Sequence, residues 1–252
     1  MTSATTMPPI PDRHFANLQS LEGGYWWFVG RLHWVRRWIT DWAGTRDLSR
    51  CVLADVGCGT GGMARELRKL GFGSVFLVES SPDALSRLHG LPPAFQLFPT
   101  DFTRGIRFPS APDVITCLDV LEHVERDEDA LRQLASALAP GGLLLVTVPA
   151  HPALYSEWDR GLGHYRRYRL RDLVARVRAA GLKPLRWSGM WAPLLPAAPY
   201  RLVSPRRQQT LEFPNVPPWL NRLLGALAVA EERVARRFAI PVGTSFILAA
   251  TK

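Results

Sequence analysis

The sequence predicts an α/β protein built on a doubly wound, mostly parallel sheet, and three observations carry that expectation. An apolar stretch over residues 52–56 runs into the glycine-rich turn Gly57-Cys58-Gly59-Thr60-Gly61-Gly62. Further short apolar runs follow, ending beside Glu79, Asp101 and Asp119 and separated by stretches of helical period. At 252 residues, 47% of them hydrophobic, the chain can bury one sizeable core.

Taken in order, residues 1–11 hold three prolines among small polar residues, with neither a basic nor an apolar leader region, and read as a disordered tail. Residues 12–48 form a helical cap. Within it Trp34, Trp38 and Trp42 recur every fourth residue, the spacing of a packed helical stripe. Tyr25-Trp26-Trp27-Phe28, flanked by Gly23, Gly24 and Gly30, reads either as a hinged lid or as a packed connection. Residues 49–188 form the core, with strands over 52–56, 74–78, 94–98, 113–118, 143–148 and 184–188. A helix spans 62–70, and another spans 170–180 with Leu170, Leu173, Val174 and Val177 on its apolar side.

Residues 189–243 are an insertion, and 244–252 hold a closing strand. The second half of the insertion, 217–238, reads as an amphipathic helix. Trp219, Leu220, Leu223, Leu224, Leu227, Val234 and Phe238 would share one broad face, with Arg222, Glu231, Glu232, Arg233, Arg236 and Arg237 mostly away from it. Such a helix can cover the sheet as part of a lid, pair with a second subunit, or lie on an anionic bilayer.

The glycine turn is where chemistry enters. Glycines there allow positive φ and close approach of a ligand to backbone N–H groups, with a helix N-terminus alongside. Gly57, Gly59 and Gly62 also satisfy the G-x-G-x-x-G spacing of dinucleotide sites, so glycines alone leave the ligand open. Asp55 shifts the balance, because a carboxylate repels a pyrophosphate but suits a ligand carrying ammonium and sulfonium groups.

Asp55-Val56-Gly57-Cys58-Gly59-Thr60-Gly61 resembles motif I of the class I S-adenosylmethionine-dependent methyltransferases. Glu79, Asp101-Phe102, Leu118-Asp119-Val120-Leu121-Glu122-His123-Val124 and Leu138-Ala139-Pro140-Gly141-Gly142 follow in that family's order, and the resemblance spans residues 51–185. It implies a Rossmann-like seven-stranded sheet with an antiparallel last strand. It also implies S-adenosylmethionine as cofactor and S-adenosylhomocysteine as product. The cofactor residues it implies are Asp55, Gly57, Cys58, Gly59 and Gly61 at the turn, Glu79 and Ser80 for the ribose, Asp101 and Phe102 for the adenine, Leu118, and Arg31 for the carboxylate.

Past the fifth strand, Trp158-Asp159 and Gly163-His164-Tyr165-Arg166-Arg167-Tyr168 resemble the ubiquinone-biosynthesis-methyltransferase-like branch, met in glycan, lipid and secondary-metabolite pathways. Candidate catalytic groups are His164, His123 and Asp119. Asp159 and His164 can form a base with its orienting acid while Arg166 or Arg167 clamps an anionic acceptor. Alternatively Asp159 pairs with Arg166 structurally and His164 caps the following helix, and His123 bonds within the fold. Tyr25, Trp26, Trp158, Asp159, Tyr165, Arg166 and Trp191 are the expected acceptor contacts.

The net charge of +9 and pI near 10.2 fit an anionic partner, but about half of the seven arginines between residues 160 and 180 suit the solvated face of the 170–180 helix. Cys51, Cys58 and Cys117 show no metal-ligand spacing, so no metal is expected. Without a long apolar run or a leader, the expectation is a cytoplasmic protein, peripheral at a membrane at most, monomeric or homodimeric. The leading function is methyl transfer to a small-molecule acceptor, with the cap and insertion closing the pocket. An RNA or protein methyltransferase using the basic surface is the alternative, although no appended RNA-binding motif and no Asn-Pro-Pro-Tyr-type motif is present. An NAD(P)-binding oxidoreductase, or a cofactor-binding protein without catalysis, is the third.

Overall fold

A computed structural model describes residues 12–197 and 213–252; the expected tail at 1–11 and the middle of the insertion, 198–212, lie outside the described residues. The sheet has seven strands, β1 Val52–Val56, β2 Ser74–Glu79, β3 Phe95–Pro99, β4 Val114–Leu118, β5 Leu143–Pro149, β6 Lys183–Met190 and β7 Ser245–Thr251. Their order is β3-β2-β1-β4-β5-β7-β6. Every pairing is parallel except those of β7, which lies antiparallel between β5 and β6. The order reverses between β1 and β4, and a crevice at the carboxyl ends of strands is where such sheets bind ligands.

Strands covered on both faces read as continuous apolar runs, which is why 52–56, 114–118 and 143–149 show no polar alternation. Successive side chains still divide between two cores. Val75, Leu77, Leu143, Leu145, Ile247 and Ala249 join one; Phe76, Val78, Leu144, Val146, Phe246 and Leu248 join the other.

The helices are α1 Asp12–Leu21, α2 Trp26–Ala43, α3 Gly62–Arg68, α4 Pro82–Leu85, α5 Asp127–Ala137, α6 Glu157–Gly161, α7 Leu170–Ala179 and α8 Pro218–Ala235. On α2 the tryptophan stripe faces the core: Trp34 and Trp38 are buried, and Trp42 is half-buried with Nε1 donating to the Gly141 carbonyl at 3.3 Å. Trp34 Nε1 donates to the Ala228 carbonyl of α8 at 3.2 Å, tying cap to insertion. The ends of the insertion meet at the sheet edge, where Gly189 N–H donates to Ile240 and Thr244 N–H to Met190.

Helix α8 departs from its expected orientation. Leu220 and Leu224 turn inward, but Trp219, Leu223, Leu227, Val234 and Phe238 are exposed. Glu231 and Glu232, expected on the solvated side, are buried. The reason is local. Trp191 sits at φ +61 just after β6, and its N–H and that of Ala192 need acceptors, which the Glu231 carboxylate supplies at 2.8 and 2.6 Å.

Candidate active site

The turn after β1 is shaped by three glycines with positive φ, Gly57, Gly59 and Gly61. Gly57 and Cys58 donate their N–H groups to the Val78 carbonyl at 2.8 and 3.1 Å, holding the loop against β2. A side chain at Gly57 would strike Val120 at 2.4 Å, whereas one at Gly59 would meet only open space, on the side where a ligand can approach. Glu79, at the tip of β2, accepts from Gly59 N–H with Oε2 and from Ser80 and Ser81 N–H with Oε1, each at 2.8 Å. Three backbone donors thus fix a carboxylate beside the glycine turn, with lone pairs left for hydroxyl donors. After β3, Asp101 Oδ1 accepts from Thr103 N–H at 3.0 Å and Oγ1 at 2.7 Å, and Phe102 is buried beside it.

Asp55 lies behind this cradle, not on its surface. It is buried, its Oδ1 accepts from Thr116 Oγ1 at 2.7 Å, and Oδ2 has no partner among the described residues. Burial outweighs the Thr116 hydrogen bond and the charge of Arg31, and pushes its carboxyl up to about 6. Gly61, likewise expected to touch the cofactor, serves as the left-handed N-cap of α3.

One cavity of about 1190 Å³ joins this cradle to a second chamber. At the cofactor end it is lined by Gly57, Cys58, Gly59, Glu79, Ser80, Asp101, Phe102 and Leu118. Arg31 and Asp119 also line it, their side chains paired at 2.6 Å, with the Arg31 guanidinium 4.2 Å above the Trp27 ring. The far chamber is aromatic, with Tyr25, Trp26, Trp27, Phe28, Trp158 and Trp191 in its wall. Trp26 meets Trp191 edge-on at 5.2 Å, Tyr25 Oη donates to the Pro214 carbonyl at 2.9 Å, and Trp26 N–H donates to Asn221 Oδ1 at 2.8 Å. The aromatic segment is therefore the packed first turn of α2 and a wall of the chamber at once.

His164 and Asp159 meet as expected, with His164 Nδ1 3.1 Å from Asp159 Oδ1. Asp159 is fully buried and also accepts from Ser156 N–H at 2.9 Å, Ser156 Oγ at 3.0 Å and Arg167 Nε at 2.8 Å. Burial alone would raise its carboxyl, but the His164 and Arg167 hydrogen bonds and charges win and hold it at about 2. Arg167, not Arg166, is thus the structural partner of Asp159. Arg166 is turned away onto Asp127 at 3.0 Å and the Glu125 carbonyl at 2.6 Å, which removes it from the expected anion clamp. His164, Asp159, Tyr165 and His123 all line the cavity, and the two imidazoles meet edge-on at 4.6 Å. In the tautomer with Nδ1 protonated towards the Asp159 carboxylate, Nε2 is left as the proton acceptor.

Several lining residues lay outside the expected set. Glu22, after α1, accepts from Thr60 Oγ1 and Gly62 N–H; burial raises its carboxyl despite those bonds. Glu122 is buried with Oε2 unpartnered, and burial followed by the Asp119 charge raises its carboxyl well above the usual range. Only its place next to His123 hinted at it. Glu122, His123 and His164 offer ligand atoms within 4.8 Å of one another, a set able to hold a metal ion that linear spacing does not reveal. Phe213, Leu220 and Leu224 complete the aromatic chamber from the insertion.

Strain gathers at the same edge of the sheet. Among the described residues the non-glycine positions with positive φ are Asp119, His151 and Trp191, which follow β4, β5 and β6, and two of them line the cavity.

The sheet order and the pocket at its switch point define a Rossmann-like cofactor-binding α/β protein, and comparison with known proteins gives the family. Residues 31–186 match the family model described as a methyltransferase domain. A ubiquinone biosynthesis O-methyltransferase of Xanthomonas euvesicatoria pv. vesicatoria (strain 85-10) is 30% identical over 178 residues, covering 63% of this chain and 74% of that protein. One of Xanthomonas oryzae pv. oryzae (strain PXO99A) is 28% identical over 216 residues, covering 75% and 89%. Among solved structures, the 4+2 cyclase SpnF superposes with a TM-score of 0.62 at 20% identity over 98% of each chain. An S-adenosylmethionine-dependent methyltransferase from Clostridium acetobutylicum ATCC 824 gives 0.53 at 13% identity, over 87% of this chain and 90% of that one. The chain belongs to the methyltransferase-domain family. It is an S-adenosylmethionine-dependent methyltransferase of Rossmann-like class I fold, which sets aside the oxidoreductase expectation.

Proposed function

We propose that the protein methylates a hydroxyl oxygen on a bulky, largely apolar small molecule, with His164 as the base and Asp159 as its positioning residue. The observation that carries this reading is the single cavity, which runs from the Glu79 cradle to His164 and then into the aromatic chamber. About 1190 Å³ exceeds the roughly 300–1,000 Å³ of an ordinary ligand pocket, so a cofactor and a sizeable acceptor can share it. Two relatives are named as O-methyltransferases of ubiquinone biosynthesis, which supports oxygen as the attacked atom.

The residues fit the cofactor: Glu79 and Asp101, both lining the cavity, present acceptors for ribose hydroxyls and the adenine amino group beside the open space at Gly59. When bound, S-adenosylmethionine supplies a methyl group already activated on a sulfonium. The protein's own work is then to align the acceptor and exclude water. The aromatic walls from α2 and the insertion do both. An acceptor hydroxyl gives its proton to His164 Nε2 as the oxygen becomes nucleophilic, and the Asp159 carboxylate stabilises the imidazolium that results. Arg31 divides the two ends; its pairing with Asp119 neutralises charge where an apolar acceptor enters.

The test is methyl transfer from labelled S-adenosylmethionine to phenols and catechols bearing alkyl tails of graded length. Turnover is expected to rise with tail length, and His164→Ala is expected to lose it by about a hundredfold or more, the usual scale of general-base loss. Equal turnover of His164→Ala and wild type would remove His164 from the mechanism. Preference for RNA or peptide acceptors would favour the alternative reading.

A further inference from the structure

Helix α8 has two apolar faces, and only one is used by the fold. Leu220 and Leu224 line the acceptor chamber, and Ala228 and Ala235 are buried. On the opposite side Trp219 is 63% exposed, Leu223 48%, Leu227 41% and Val234 55%, with Phe238 at 71% just past the end of the helix. Steps of four, four, seven and four residues keep all five on one stripe. A single exposed leucine is ordinary, but a continuous stripe with an aromatic at each end marks a contact surface.

The charges beside the stripe say what it contacts. Arg222 and Arg233, three turns apart, line one edge, and Arg237 lies next to Phe238; all three are exposed. Arg222 Nε donates to the Pro218 carbonyl, and among the described residues Arg222, Arg233 and Arg237 form no ion pair. Arg236 is the exception, 3.7 Å from Asp41 of α2. Both acids of α8, Glu231 and Glu232, are turned inward, so the exposed face carries cations and no carboxylate.

We infer that α8 docks the protein on an anionic phospholipid bilayer, with Trp219, Leu223, Leu227, Val234 and Phe238 in the acyl boundary and Arg222, Arg233 and Arg237 at the phosphates. A second copy of the chain is the poorer occupant, since a two-fold contact through this face would set unneutralised arginines against one another. No helix among the described residues is long and apolar enough to cross a membrane, so the contact is one of lying on the surface. Docking itself does not depend on the proposed acceptor. If that proposal holds, the helix that rests on the bilayer is also a wall of the acceptor chamber, and an apolar acceptor can pass from lipid to pocket without crossing water.

The experiment is co-sedimentation of the full chain with vesicles of phosphatidylcholine alone or mixed with phosphatidylglycerol. Wild type is expected to pellet with the anionic vesicles and at least fivefold less with neutral ones, and to be released by salt near about 0.5 M, where surface charge is screened. Trp219→Ser combined with Leu223→Ser and Phe238→Ser is expected to bind at least tenfold more weakly, with melting temperature and S-adenosylhomocysteine affinity unchanged. Wild type that stays in the supernatant with anionic vesicles overturns the inference, as does a triple variant that pellets equally. So does analytical ultracentrifugation showing a wild-type dimer that the triple variant dissolves, which would make the face a self-association surface.

Discussion

Two glycines of the turn separate fold from ligand. Gly57→Ala combines positive φ with a 2.4 Å clash against Val120, so it is expected to lower stability by about 2 kcal/mol or more, read as a fall in melting temperature. Gly59→Ala meets no neighbour, so its cost is confined to φ, about 1 kcal/mol, while cofactor affinity drops because the new methyl occupies the ligand's side. Asp55 makes a sign-definite pH prediction. Its folded pKa of about 6 lies above its ordinary 3.8, so the folded state without cofactor holds the extra proton between those values. The stability linked to that proton is present below about 3.8 and is lost as pH rises through 6. The two units correspond to about 3 kcal/mol at most. Asp55→Asn is therefore expected to melt higher than wild type at pH 8, because the amide removes the cost of burying a charge. A variant that melts lower at pH 8 would contradict this account of Asp55. Asp159 has the opposite sign: held at about 2, its contribution is present above its ordinary pKa and is lost as pH falls through 2.

At the scale of elements, the core strands and α2 were legible in the sequence because each is decided by local pattern: short continuous apolar runs, punctuating glycines, and a tryptophan every fourth residue. The acid at each strand tip was legible for the same reason. Helix α8 was not. Its sequence is apolar over so wide an arc that two faces qualify, and the choice is made by a tertiary demand, the Trp191 and Ala192 amides that Glu231 satisfies. Arg166 and Arg167 were interchangeable in sequence too, since a one-residue difference decides which guanidinium reaches Asp159 and which reaches Asp127. Glu22 and Glu122 were missed because nothing in a linear motif says that a carboxylate will be buried. Glu231→Ala follows from this reading. It leaves two amides without acceptors, so it is expected to cost about 2 kcal/mol of stability and to raise the KM for acceptor several-fold, with cofactor affinity unchanged. An unchanged KM would mean that α8 covers the chamber without shaping it.

On the scale of the whole molecule, the fold is a division of labour across one sheet edge. The β1–β3 half supplies a polar cradle from backbone amides and fixed acids, and the β4–β6 half, with the cap and insertion, supplies a base in an aromatic chamber. Part of the basic composition is paired within the molecule, with Arg166 and Arg176 on Asp127 and Arg167 on Asp159. The most direct test of the two-ended cavity is calorimetric titration of S-adenosylhomocysteine into wild type, Glu79→Ala and His164→Ala. Binding weakened at least tenfold in Glu79→Ala and within twofold of wild type in His164→Ala is the predicted result. Equal loss in both variants, or none in Glu79→Ala, would contradict the assignment of the two ends.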